Sequence, residues 1–119
     1  MARLKLKLQL YCGDEIAMGP GKADLLDAIA REGSISAAGR AMGMSYRRAW
    51  LLVDTMNRCF RAPLVETHPG GGKNAGAKLT PEGEAALAAY RGLSEQVEGG
   101  VPGADFEVLG AVIRDEPLR

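Results

Sequence analysis

Between residues 4 and 11, LKLKLQLY, apolar and polar positions alternate, so that Leu4, Leu6, Leu8 and Leu10 share one face. A period of two predicts a half-buried strand, ended by the Gly13-Asp14 pair. After Pro20 the period lengthens to that of a helix: Leu25, Leu26, Ile29 and Ala30 recur at helical spacing over about 21 to 32, with Pro20 at the start and Gly33 as C-cap. Ser34 caps a shorter second helix, SISAAGRAMG, whose small residues allow close approach and whose inner face carries Ile35, Ala38 and Met42. Ser45 caps a third helix, about 46 to 60. At 100° per residue Ala49, Leu52, Val53, Met56 and Phe60 fall on one side, the expected core side. Pro63 stops it. LVETH (64 to 68) and AKLT (77 to 80) read as short strands joined by a glycine-rich loop, and Thr80-Pro81 opens a last long helix to about Val97.

The outward face of the third helix is unusual for a solvent face. Arg47, Leu51 and Arg58 point away from the core stripe, with Arg48 and Trp50 on the flanks. Strand, helix, short helix, helix, strand, Gly-rich loop, strand, helix is the order of a winged helix-turn-helix, so the expected fold is mainly α with a small β-hairpin wing and a long C-terminal helix. In that architecture the turn at 41 to 45 sets the second and third helices at a steep angle. The start of the third helix can then enter a DNA major groove about 12 Å wide. The candidate DNA-binding residues are Ser34, Ser36, Ser45, Tyr46, Arg47, Arg48, Trp50 and Leu51, with Lys73, Asn74 and Lys78 from the wing. Arginine suits two-point contact with guanine, and Leu or Trp can touch a thymine methyl or the sugar-phosphate wall.

Composition sharpens this picture through charge. The chain has 119 residues with 15 basic and 15 acidic side chains, a formal net charge of zero. Split at Thr80, the first part carries 12 basic against 7 acidic residues and the last 39 residues carry 3 against 8. A charge polarised along the chain suggests that one end meets a polyanion, and what governs DNA binding is the local field at the contact surface. The length allows one domain with its own core, and no run approaches 18 uninterrupted apolar residues. The alternating start, MARLKLKLQLYCGDE, lacks the apolar run of a signal peptide, so a cytoplasmic protein that is neither secreted nor membrane-spanning is expected.

Other candidate chemistry thins out under the same scrutiny. Cys12 and Cys59, 47 positions apart, form no disulfide framework and no zinc spacing, and are expected reduced and partly buried. GGGKNAG (70 to 76) lacks the Gly-Lys-Ser/Thr ending of a phosphate-binding loop and sits between strands, which sets nucleotide binding aside. His68, the single histidine, has no metal or triad partners at suitable spacing and reads as a strand-end surface residue. Arg47 and Arg48 taken alone would be ordinary solvated side chains; their position at the start of the third helix distinguishes them. Trp50 divides evenly between a buried or dimer-contact role and a DNA-facing one. No enzyme, metal site or cofactor is expected. Leu87, Tyr90, Ser94 and Val97 form a stripe on the last helix that suits either core or the pairing of two copies.

The runs GPGKADLLDAIAREGSISAAGRAMGMSYRRAWLLVDTMN, PLVET and GGGKNAGAKLTPEGEAAL together resemble the N-terminal DNA-binding domain of the ModE family of molybdate-responsive transcriptional regulators, itself similar to the LysR-type helix-turn-helix. The resemblance runs from about Leu4 to Val97. It implies a winged-helix dimer on a palindromic operator near molybdate-transport genes, with the helix from Ser45 in the groove, the Lys73 loop as wing and the helix after Pro81 helping to dimerise. Members of the family bind molybdate or tungstate in C-terminal oxyanion-binding modules. Only about twenty residues follow the last helix here, against roughly 65 for such a module. The expected organisation is therefore a DNA-binding domain over 1–98 that includes a dimerisation helix at about 81–98, then a linker and tail over 99–119. No oxyanion-binding domain and no direct molybdate binding are expected in this chain.

Two functions from different classes fit these residues. One is a sequence-specific, dimeric DNA-binding regulator linked to molybdate. The other keeps the fold but makes the chain a sensor-less interaction protein that heterodimerises with a full-length regulator and modulates it. The paired arginines and basic wing favour the first, since a protein-only module has no need of them. The tail, with Phe106, Val108, Leu109, Val112 and Ile113, has enough apolar residues to pack against the last helix or the first strand, as strand or as helix.

Overall fold

The computed structural model describes residues 3–68, 76–100 and 103–119. Its elements are β1 (Leu10–Cys12), β2 (Glu15–Met18), α1 (Pro20–Glu32), α2 (Ile35–Ala41), α3 (Tyr46–Cys59), β3 (Val65–His68), β4 (Gly76–Leu79), α4 (Pro81–Gly99) and α5 (Ala104–Val112). The three-helix body with a β3–β4 wing and a long following helix is the expected winged helix-turn-helix.

Helix boundaries follow the capping chemistry read from the sequence. Ser34 Oγ accepts from the Ala37 N–H at 3.0 Å, and Ser45 Oγ from the Arg48 N–H at 3.1 Å. Thr80 Oγ1 accepts from the Gly83 N–H at 3.0 Å and donates to the Pro63 carbonyl at 2.7 Å, so one hydroxyl starts α4 and ties it to the end of α3's connection. Pro20 opens α1 and Gly33 closes it, its N–H donating to the Ile29 carbonyl at 2.9 Å.

The core lies between α1, α2, α3 and the wing. Leu25, Leu26 and Ile29 from α1, Ala49, Val53 and Met56 from α3, and Leu64 and Val65 before and within β3 are buried in one cluster, with Leu52 and Phe60 partly buried at its edge. The small residues of α2 make the steep crossing feasible: a Cβ on Gly39 would stand 3.3 Å from Ala49 Cβ and 3.3 Å from the Met44 carbonyl oxygen, tighter than ordinary contact. Asn57, on α3, joins helix to wing, its Oδ1 accepting from the Leu64 and Val65 N–H groups at 2.8 and 3.2 Å and its Nδ2 donating to the Val65 carbonyl. β3 and β4 run antiparallel, Val65 opposite Leu79 and His68 opposite Gly76.

Two expectations are corrected. The strand foreseen over 4–11 is reduced to Leu10–Cys12, paired with β2, a strand that the alternation did not announce. Leu4 and Leu10 are about half exposed, at 47% and 53%, while Leu8 packs against the core. Alternation describes a face, and a strand also needs a neighbour for its hydrogen bonds. β2 supplies one only for the three residues beside the tight turn at Gly13-Asp14. The tail is helical as α5, but none of its residues is buried, so the packing expected for it is not found. The Cα radius of gyration, 17.8 Å, exceeds the ~13.5 Å of a compact chain of this length, and the longest axis is 57 Å.

Candidate nucleic-acid interface

The first two turns of α3 project from the body because its buried residues, Ala49, Val53 and Met56, recur on the opposite side. Tyr46, Arg47, Arg48, Trp50 and Leu51 are all exposed, Trp50 by 44%. That exposure removes Trp50 from the core and leaves a large aromatic surface beside two guanidinium groups. Neither α2 nor α3 has an acidic residue in its first turn, so the partial positive charge of each helix start is not offset locally. Farther along, Arg58 is held by Asp54, its Nε 2.9 Å from Oδ2, which raises its already high pKa and ties its charge down. The free cationic surface of α3 is therefore at its start.

A shallow cavity of about 330 Å³ runs between α2, the start of α3 and the wing. Ser34, Ser36, Tyr46 and Trp50 line it together with Thr67, His68 and Gly76. Four of the candidate residues thus share one wall of a groove, and the wing makes the other. Ser34 has its hydroxyl engaged in capping, and Ser36 Oγ accepts from the Arg40 guanidinium at 2.9 Å, so both serines order the helix as well as face the groove. Ser45 is exposed, its hydroxyl also a cap. Lys78 is exposed on β4 and lies 3.5 Å from Glu66, whose carboxylate is also 3.6 Å from His68 Nε2. Lys73 and Asn74 lie outside the described residues.

Thr67 and His68 belong to this surface as well, although the sequence does not single them out as candidates. His68 looks like a bland strand end in the sequence because its groove neighbours, Tyr46 and Trp50, are about twenty residues away along the chain. The signal that could have found it is its position at the wing end of a strand facing the start of α3. On α4, Val97 is exposed and Leu87 and Ser94 are partly covered, whereas Tyr90 is turned inward, only 7% exposed, its hydroxyl donating to the Leu8 carbonyl at 2.8 Å. Arg91 Nη2 bridges from α4 to Asp24 and Asp27 of α1 at 2.9 and 2.6 Å, which pushes the guanidinium pKa up. Among the described residues no group of three His, Cys, Asp or Glu side chains could hold a metal ion, and no helix is long and apolar enough to cross a membrane.

The family described as "Bacterial regulatory helix-turn-helix protein, lysR family" matches residues 22–84, more than half of the chain. The chain belongs to this family. The match begins in α1 and ends just inside α4, so it contains the whole groove. Among curated relatives, the molybdenum-pterin-binding protein MopB of Rhodobacter capsulatus is 52% identical over 73 residues, 61% of this chain and 27% of MopB. The DNA-binding transcriptional dual regulator ModE of Escherichia coli K12 is 37% identical over 87 residues, 73% of this chain and 32% of ModE. The ModE-like character of the helix-turn-helix portion is thereby borne out, over less than a third of each relative's length.

Solved structures agree on the fold of this lysR-family domain. The DNA-binding domain of BenM in complex with benA site 1 DNA superposes with a TM-score of 0.54 at 18% identity, covering 82% of this chain and all of that one. The CbnR DNA-binding domain in its DNA complex gives 0.54 at 20% identity, covering 76% and 95%.

Proposed function

We propose that this protein is a sequence-specific DNA-binding transcriptional regulator of the cytoplasm that acts as a homodimer on a palindromic operator and is linked to molybdate transport or metabolism. The observation that carries the reading is the exposed start of α3, where Tyr46, Arg47, Arg48, Trp50 and Leu51 stand free above a groove walled by the wing. In the major groove Arg47 reads a guanine edge, Trp50 and Leu51 lie against thymine methyls or sugars, and Arg48 meets phosphate. Ser34, Ser36, Ser45 and Lys78 contact the flanking backbone, and Lys73 and Asn74 belong to the same proposed set of DNA-binding residues. The molybdate link is supported by the names of the relatives, molybdenum-pterin-binding and molybdenum transport proteins among them.

Pairing through α4 completes the reading. Leu93 and Val97 are exposed by 47% and 38%, with Ser94 and Leu87 beside them, while Tyr90 supports the helix from within. Two recognition helices related by a two-fold axis would meet half-sites about 34–36 Å apart.

The test is selection of bound sequences from a random duplex pool, followed by anisotropy titration. A palindromic consensus, and a log–log salt slope losing about 0.9 for each phosphate contact removed, support the reading. Weak binding that is equal for every sequence sinks it. Isolation from cells as a mixed complex with a longer regulator, without a homodimer, favours the heterodimeric modulator instead.

A further inference from the structure

Between the N-terminal segment and the last turns of α4 lies a groove of about 280 Å³, lined by Leu6, Leu8, Ser94 and Val97 with the exposed Lys5 and Glu98 among them. The Tyr90 hydroxyl, donating to the Leu8 carbonyl, holds the segment against α4 and so keeps the groove in shape. Two further charged side chains of the groove, Asp24 and Arg91, are paired with each other at 2.9 Å. The segment itself is cationic: Arg3, Lys5 and Lys7 alternate with its leucines and are all exposed. At the other end of the chain, α5 has the complementary character. Asp105, Val108, Leu109 and Val112 stand at i, i+3, i+4 and i+7 and therefore share one face, and the three apolar side chains are exposed. Its first turn is acidic, with Asp105 and Glu107, and its last turn has no basic residue.

We propose that this groove is the docking site for α5 of a second copy of the chain, with Val108, Leu109 and Val112 over Leu6, Leu8 and Val97, and Asp105 beside Lys5. The inference rests on the pairing of two copies through α4 proposed above and says what completes it. Three observations favour a second copy as the occupant. The first is charge: the groove's flank carries Arg3, Lys5 and Lys7, and the face offered to it carries Asp105. The second is area. A stable interface covers about 800 Å² on each partner, and the large apolar side chains that α4 leaves exposed are Leu93 and Val97 alone. With α5 added, each copy contributes one helix and one groove, and the two-fold axis makes the contact twice.

The third observation is position. If two α4 helices cross near Leu93 and Val97, the partner's α4 ends at Gly99, two to six residues past the crossing. At 1.5 Å per residue that is about 3–9 Å. The partner's α5 therefore starts next to a groove that Ser94, Val97 and Glu98 line, at whatever angle the helices cross. The same chain's α5, by contrast, buries none of its residues.

The test measures dimer dissociation of the full chain by analytical ultracentrifugation, with circular dichroism to show that each variant is folded; all substituted positions are exposed. Val112→Asp should raise the dissociation constant at least about tenfold. Lys5→Asp and Asp105→Lys should each raise it several-fold, since each puts like charges together at both copies of the contact. Mixing these two variants should restore tight pairing, because in the mixed dimer one contact is native and the other has its charges exchanged. Two weakened variants that gain nothing on mixing mean that α5 acts on its own chain, which overturns the proposal. Variants that all dimerise like the unsubstituted chain also overturn it, while leaving the pairing through α4 intact. An unsubstituted chain that is monomeric at every concentration sinks both.

Discussion

The body formed by α1, α2 and α3 and the carboxyl-terminal pair α4 and α5 use apolar side chains in opposite ways. In α1 the residues Leu25, Leu26, Ala28 and Ile29 are wholly buried, and α3 buries Ala49, Val53 and Met56. Over its 19 residues α4 buries only Gly83 and Tyr90, and α5 buries nothing while exposing Val108, Leu109 and Val112. Apolar pattern alone does not separate the two regions, since α5 is the more apolar helix. The body's helices find partners within the protomer, each with an apolar face matched to a neighbour. In α5, by contrast, Val108, Leu109 and Val112 stay largely exposed. A helix of this kind contributes little to the stability of a single copy, and clustered exposed apolar side chains are characteristic of surfaces that associate.

The sharpest way to break this contrast is truncation in its two halves. Leu26→Ala should destabilise the protein by about 2–5 kcal/mol in a denaturant melt, because the deleted methyls leave a cavity in a closed core. Asn57→Ala should cost about 1–3 kcal/mol, since it strands the N–H groups of Leu64 and Val65 at the joint between α3 and the wing. Tyr90→Phe, which removes the one hydroxyl tying α4 to the N-terminal segment at Leu8, should cost about 1 kcal/mol in the same measurement. Arg91→Ala opens the exposed bridge to Asp24 and Asp27 and should cost about 0.2–1 kcal/mol, fading as salt is raised. Val112→Ala should stay within about 0.5 kcal/mol at concentrations where the chain is monomeric. A loss at Val112 as large as that at Leu26 would mean that α5 belongs to the core after all. On the exposed face of α3 proposed to meet DNA, Arg47→Ala should leave the melting curve alone. Its effect belongs in anisotropy titrations, where about 1–3 kcal/mol of discrimination between the selected operator and a scrambled duplex should disappear.

Much of this architecture could be read one element at a time. The caps at Ser34, Ser45 and Thr80 mark helix starts through hydroxyl chemistry that acts over three residues, and Pro20, Pro63 and Pro81 bound the helices through a fixed φ and a missing N–H. The core side of α3 followed from the angular spacing of Ala49, Val53 and Met56, and its outward arginines followed from the same arithmetic. These are local properties, set by neighbours within one or two turns.

The remaining features depend on which segments meet. Leu4 to Leu10 alternate as a strand does, yet only the end that reaches β2 becomes one, because a ladder requires a second strand at the right distance. Tyr90 belongs to the stripe expected to pair two copies, but the N-terminal segment lies close enough to accept its hydrogen bond and to cover its ring. The packing of Ala49 and Val53 against the core turns Trp50 outward, into a groove that Thr67 and His68 also line. Residue chemistry and chain spacing thus determined the helices, their caps and the cationic start of α3. The identity of the groove's second wall, the burial of Tyr90 and the exposure of α5 were decided by tertiary contacts, because burial and proximity are properties of pairs of segments.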